Sequence, residues 1–326
     1  MVKNLHEFGG IVFLAVSLAS APVTALADTF GSPGNTFTID FASVGNPGNA
    51  DDSAAGGGSY FRPLGGVAYN YRIAATETPL DWINKASASG LADVSATSLS
   101  AAHPAGDLVW YEAAAFVNWL NTSTGHHAAY NLTFDGITNG SVDHWSEDEA
   151  WDNDPGPGLD RNDYRHKDAY YFLPTDDEWY KAAFHKNDGV TGNYWDYAIT
   201  SDLPPTPTLS GTLSGTLVYQ TVDPATVDNA GGLGPYGTRG QTGNVMEWSE
   251  SPSPDGVSLL GAWYGASQAG MRSSHLSGQI RDDSHRNVGF RVASVPEPSS
   301  AILLLCGVGL FLAIRQRAQR SIPAAK

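Results

Sequence analysis

Cysteine is almost missing from this chain: one residue in 326, Cys306, close to the C-terminus. Residues 1–305 therefore contain no disulfide and no thiolate, whatever the redox state of the compartment. Charge is also scarce, at 16% of residues, and 18 Lys and Arg face 34 Asp and Glu for a net charge of −16. A surface so poor in cations cannot neutralise phosphates, which excludes nucleic acid as a partner. The acidic excess favours solubility and divalent cations instead. The sequence also has no G-x-S-x-G elbow, no H-E-x-x-H pair and no P-loop. The C-terminal apolar run, Ala301 to Ile314, is fourteen residues long, short of the ~20 a bilayer-spanning helix needs.

The two ends read as targeting segments. Lys3 precedes an apolar stretch from Ile11 to Ala27, and Ala25-Leu26-Ala27 before Asp28 is the small-x-small pattern that signal peptidase cuts. Residues 1–27 are thus expected to be a signal peptide cleaved after Ala27. At the other end Pro296-Glu297-Pro298, the apolar helix 301–314 and Arg315, Arg317 and Arg320 follow one another. Together they resemble the PEP-CTERM sorting signal of Gram-negative bacteria, which implies processing near Pro296, Glu297 and Pro298 by an exosortase-type enzyme. The basic tail would stay on the cytoplasmic side. Residues 295–326 would then anchor the protein transiently in the inner membrane, with the bulk of the chain exported to the envelope or beyond. Losing both ends removes more basic than acidic side chains, so the body is the more acidic part.

Between the ends lie about 270 residues with many of the chain's 36 glycines and 19 prolines, a composition of loops with few helices. Three helices are expected. Thr78-Pro79-Leu80-Asp81 places a Thr cap before Pro at the first helical position. Val109, Ala113, Phe116, Val117 and Leu120 fall on one helical stripe. Thr175 and Glu178 form a capping box, with Asp176 and Asp177 at the positive end of the helix dipole. Val67 to Ile73 alternates as a strand should. His144 to Asp163 reads as an acidic insert and Ser201 to Gly215 as a mobile surface loop. With so much irregular chain, bound cations are an expected aid to order.

Four stretches then carry a family resemblance: HPAGDLVWYEAAAFVNWLN (103–121), YYFLPTDDEWYKAAF (170–184), TGNVMEWSES (242–251) and NVGFRVA (287–293). In order and spacing they resemble the formylglycine-generating, sulfatase-modifying factor (FGE-sulfatase) domain. The resemblance implies an α+β fold, a C-type-lectin-like variant with few short helices, short strands and much irregular loop. The domain would run over residues 41–294, with 28–40 as a lead-in.

Enzymes of that family resemble one another in a cysteine pair just upstream of the final G-F-R strand, where thiolates hold copper and activate oxygen. Here that region, residues 261–291, has no cysteine, and Ser267, Gln268, Ser273 and Ser274 are poor ligands for Cu(I). No copper and no formylglycine chemistry are expected. The resemblance implies instead an exported, non-catalytic module that binds a glycan or peptide at the cell surface or in the matrix. Its alternative is a formylglycine-generating-type or related metal-dependent oxygenase acting on protein or thiol substrates.

Trp263, Tyr264, Gln268, Arg272 and His275 fall near the expected cleft, where the aromatic faces suit a sugar or peptide. Asn244 and Glu247 offer the hard oxygen ligands of the family's calcium segment, against a reading in which Glu247 pairs with a nearby Arg. His275 and His285 with Asp282 or Asp283 form a further metal option, against a solvated polar loop, and Asp152-Asn153-Asp154 reads as a solvated acidic loop.

Overall fold

The computed structural model describes residues 26–55, 62–134, 140–151, 162–253, 256–274, 277–279, 281 and 284–295. Residues 1–25, 152–161 and 296–326 lie outside that set, and with them the signal-peptide body, Asp152 to Asp154, Pro296 to Pro298 and the 301–314 run. His275, Asp282 and Asp283 are outside it as well.

Among the described residues three α-helices stand between many short strands: α1 Leu80–Ser87, α2 Trp110–Ser123 and α3 Asp176–Phe184. The strands of the first half are β1 Leu26–Phe30, β2 Phe37–Val44, β3 Tyr71–Ala74, β4 Asn131–Phe134, β5 Gly140–Asp143 and β6 Tyr171–Phe172. Those of the second half are β7 Thr206–Pro207, β8 Thr216–Leu217, β9 Met246–Ser253, β10 Gly256–Leu260, β11 Ser277–Gln279, β12 Val288–Phe290 and β13 Ala293–Ser294.

Two sheets carry the domain. One has the order β1-β2-β3-β13-β6, the other β11-β10-β9-β12, with β12 parallel to β9. Three residues after β12 ends, β13 begins in the middle of the other sheet, antiparallel to β3 and β6. The stretch from Val288 to Ser294 thus stitches the two sheets together. This mixture of few helices, short strands and long loops is the α+β architecture expected.

Local chemistry explains the helices. Glu112 accepts from the Val109 amide at 2.8 Å, closing the first turn of α2. The α2 stripe is buried and packs Phe116 against Phe290 in the main core, beside Trp110 and Trp248. In α3 the capping box forms as read: Thr175 Oγ1 accepts from the Glu178 amide at 3.1 Å, and Glu178 accepts from the Thr175 amide at 2.7 Å.

Four expectations are corrected. α1 starts one residue later than read, because Pro79 occupies the cap in an extended conformation and the Thr78 hydroxyl is buried without a partner. The Val67–Ile73 strand shrinks to β3, and all four of its residues are buried, so no alternation survives. Residues 28–40 are no lead-in: β1 and the first half of β2 pair across the sheet, with Ala27 opposite Asp40. The 201–215 segment is tied down by backbone bonds from Thr206 to Gly215 and from Gly211 to Asn229, as the β7–β8 pairing requires.

Ordering the loops falls to arginine. Arg72, Arg165 and Arg291 are among the largest fully buried side chains, and each meets a carboxylate from a distant stretch of chain. Arg165 joins α3 to β9, donating to Glu178 at 2.8 Å and to Glu250 at 2.7 Å while its guanidinium lies 3.6 Å from the Phe172 ring centroid. A planar cation with several donors can satisfy two acids at once, which a lysine cannot.

Candidate functional site

The loop after β10 begins at Gly261, whose φ of +74° suits glycine; a Cβ there would sit 2.6 Å from the Gln241 carbonyl oxygen. That turn sends Trp263 outward and Tyr264 inward. Tyr264 is buried and donates its amide to Asn244 O at 2.7 Å, so it belongs to the core. Trp263 meets Tyr264 edge to face at 5.1 Å and covers Gly265, where a Cβ would lie 2.3 Å from the indole. Its own exposure is 37%. A single 3₁₀ turn, Gln268–Met271, then anchors the loop through the buried Met271 and leaves Gln268 in solvent.

Arg272 follows, exposed, with Nη2 2.6 Å from Asp196 and its guanidinium over the Tyr197 ring. The Ser273 amide donates to Asp196 O at 2.9 Å, so this strand of loop is fixed to residues 194–197. Between them opens a cavity of about 390 Å³ lined by Arg272, Ser273, Ser274, Lys186, Asn193 and Trp195, with Asp52 and Asp196 adding acid. Lys186 Nζ sits 4.0 Å from the Trp195 ring centroid and 3.2 Å from Asp202. The site is polar and carries both signs of charge, as recognition of a hydrogen-bonding ligand requires.

Of the five residues expected in the cleft, the structure places only Arg272 on this cavity. Trp263 and Gln268 lie outside its lining, Tyr264 is core, and His275 is not among the described residues. The sequence reading missed Lys186, Asn193, Trp195 and Asp196, although a lysine followed by Trp-Asp just after the capped helix was visible. The loop's donors are hydroxyls, amides and a guanidinium, and this set does not fit a cuprous ion, which soft sulfur ligands hold.

The expected calcium pair is corrected. Glu247 is fully buried and accepts from Arg291 Nε and Nη2 at 2.5 Å each and from Trp179 Nε1 at 2.6 Å. Asn244, held at a φ of 55°, donates Nδ2 to Glu77 at 3.0 Å and accepts from the Ala225 amide at 2.8 Å. A guanidinium and an indole N–H occupy the space around Glu247 that a cation would need. The two side chains do not fit a calcium ion, and the Arg pairing weighed against it is the arrangement present.

Glu77 is the unusual group of this centre. Burial, the largest influence, pushes its carboxyl from 4.5 up to about 8; Arg291 opposes that and the neighbouring Glu247 reinforces it. Its Oε2 is buried without a partner, and the Gly240 backbone passes so close that a Cβ would lie 2.6 Å away. Glu77 thus holds its proton well above the ordinary carboxylate range, beside the Glu247–Arg291 contact. His185 caps α3 by donating its amide to Lys181 O, while its ring bonds Tyr236 at 2.8 Å and Thr191 O at 3.2 Å.

A family model described as the sulfatase-modifying factor enzyme 1-like domain matches residues 60–295. Among solved structures, the variable protein 1 of Treponema denticola superposes with a TM-score of 0.53 at 19% identity, covering 85% of this chain and 100% of its own. A protein described as CarF superposes with a TM-score of 0.51 at 18% identity, covering 79% of this chain and 99% of its own. At these identities the likeness is one of fold. No curated protein matches the sequence.

Proposed function

Because this chain belongs to the sulfatase-modifying factor enzyme 1-like family, we propose that it is a member that binds rather than oxidises. It is an exported module acting at the cell surface or in the extracellular matrix, with its ligand surface at the polar cavity beside Arg272. One observation carries this reading: residues 1–305 contain no cysteine, so no thiolate is available to hold copper and activate oxygen. The donors around the cavity suit a hydrogen-bonding ligand, a glycan or a peptide, better than a redox centre.

Export is part of the proposal. Cleavage after Ala27 would leave Asp28, whose carboxylate holds the buried Arg72 at 2.7 Å, as the first residue of the mature chain. The sheet would keep the rest of β1 after the leader is gone. Sorting through Pro296, Glu297 and Pro298 would follow Val295, which is still bonded to Tyr170 O by its amide at 3.1 Å.

The test incubates the purified chain with copper and a cysteine-containing sulfatase-type peptide, following oxygen uptake and aldehyde formation. Neither is expected; aldehyde in the peptide would overturn the binding reading in favour of the oxygenase one. N-terminal sequencing of the exported protein should start at Asp28.

A further inference from the structure

A second cavity, of about 510 Å³, opens where β2, the segment entering α1 and the 3₁₀ turn Val227–Asn229 meet. It shares no lining residue with the cavity beside Arg272. Its chemistry comes from Asp40, Asp81, Trp82, Asp228, Leu233 and Arg239.

The walls are fixed before any ligand arrives. The Ala75 amide donates to Asp40 O at 2.8 Å, the Arg239 amide to Ala75 O at 2.8 Å, and the Val227 amide to Ala102 O at 3.0 Å. The Arg239 carbonyl in turn accepts from Arg291 Nη2 at 2.9 Å, which ties the cavity to the buried ion pair. Trp82 rests one face on Phe37 at 5.8 Å, nearly parallel, and leaves a half-buried indole to the cavity.

Arg239 is the telling residue. Its guanidinium makes no hydrogen bond or ion pair among the described residues, and Nη1 is buried without a partner. Arg239 is half-buried, whereas the fully buried guanidiniums of Arg72, Arg165 and Arg291 each meet an acid. A desolvated donor left unmatched is costly, and an arriving acceptor would remove that cost. Across the cavity Asp40 and Asp228 are exposed and make no hydrogen bond or close ion pair among the described residues, although Asp228 lies near enough for its charge to act on Arg239, while Asp81 is held by Lys85 at 2.7 Å.

The mixture selects among ligands. An anion such as phosphate would be repelled by the carboxylates, a metal ion would be repelled by Arg239 and would have no use for the indole, and an apolar ligand would strip water from free acids. A neutral polyhydroxylated ring meets all the demands: its hydroxyls donate to Asp40 and Asp228, its oxygens accept from Arg239, and its C–H face covers Trp82. We propose that this cavity is a saccharide-binding site, separate from the ligand surface beside Arg272 and independent of that assignment.

The experiment titrates the full chain with four neutral disaccharides, cellobiose, maltose, lactose and diacetylchitobiose, to about 20 mM, following saturation-transfer NMR and tryptophan fluorescence. At least one is expected to bind, with Asp228→Asn and Arg239→Gln each weakening it about tenfold and Leu209→Ala, an exposed change outside both cavities, leaving it unchanged. Asp228 is exposed, so its isosteric variant keeps the fold and the test holds even if Arg239→Gln is unstable. Binding of none of the four, or binding indifferent to Asp228→Asn, would overturn the proposal.

Discussion

Arg291 grips both oxygens of Glu247, Nε and Nη2 each at 2.5 Å, with neither side chain exposed to solvent. The same guanidinium reaches Ala74 O at 3.0 Å and Arg239 O at 2.9 Å, so one side chain joins four separate stretches of chain. Removing one partner leaves the other charge buried and alone. Arg291→Ala should therefore destabilise the domain by about 3 kcal/mol or more, a fall of roughly 6 to 12 °C in Tm. Urea unfolding measures it, and a loss under about 1 kcal/mol would deny the pair its structural role.

Glu77 gives the pH dependence. Its folded carboxyl is raised to about 8 from an ordinary 4.5, so between those values the folded state keeps a proton that the unfolded state has released. Its contribution is fully present below about pH 4.5, is lost as pH rises toward 8, and is flat beyond. Glu77→Gln keeps an acceptor for Asn244 and removes the titration. The difference in stability between wild type and variant should change by about 1.4 kcal/mol per pH unit from pH 5 to 8; parallel profiles would refute it.

Asp28 and Arg72 make a rim version of the same device, with Arg72 buried and the Asp28 side chain 12% exposed. Partial solvation softens the loss, so Asp28→Asn should cost about 2 kcal/mol, less than Arg291→Ala. Differential scanning calorimetry of the two variants checks the order.

Arg272 and Asp196 are both exposed, and such pairs contribute about 0–1 kcal/mol. Arg272→Ala should leave Tm within about 2 °C while abolishing any ligand seen in the cavity it lines. A large loss of stability would make Arg272 a structural residue instead.

What the sequence disclosed was mostly what acts over a few residues. The Thr175–Glu178 box and the α2 stripe were legible because both ends of each interaction lie within one or two helical turns. The four family stretches gave the fold. The arginine pairings were not legible: Arg72 meets Asp28 across 44 positions and Arg165 meets Glu250 across 85. No periodicity encodes such a match. β3 misled because a strand covered on both faces keeps no alternation. The 201–215 segment misled because its Pro, Ser and Thr content describes solvent exposure, whereas its order comes from backbone bonds to Gly215, Leu217 and Asn229.

The site was harder to read than the fold for a related reason. Trp263 and Tyr264 are neighbours in sequence, yet the turn at Gly261 separates them into surface and interior. Arg272 could be found beside a family motif, but Lys186, Trp195 and Arg239 become interesting only when distant loops converge on them.

The strands that join the two sheets are nearly the last described part of the chain. A chain that emerges N-terminus first during synthesis presents β1, β2 and β3 long before β13 arrives to fill the gap beside β3. Until then the five-stranded layer is missing an inner member. Such non-local closure is slow and arrives late, so the five-stranded layer is completed among the last steps of folding, when nearly the whole described chain is present.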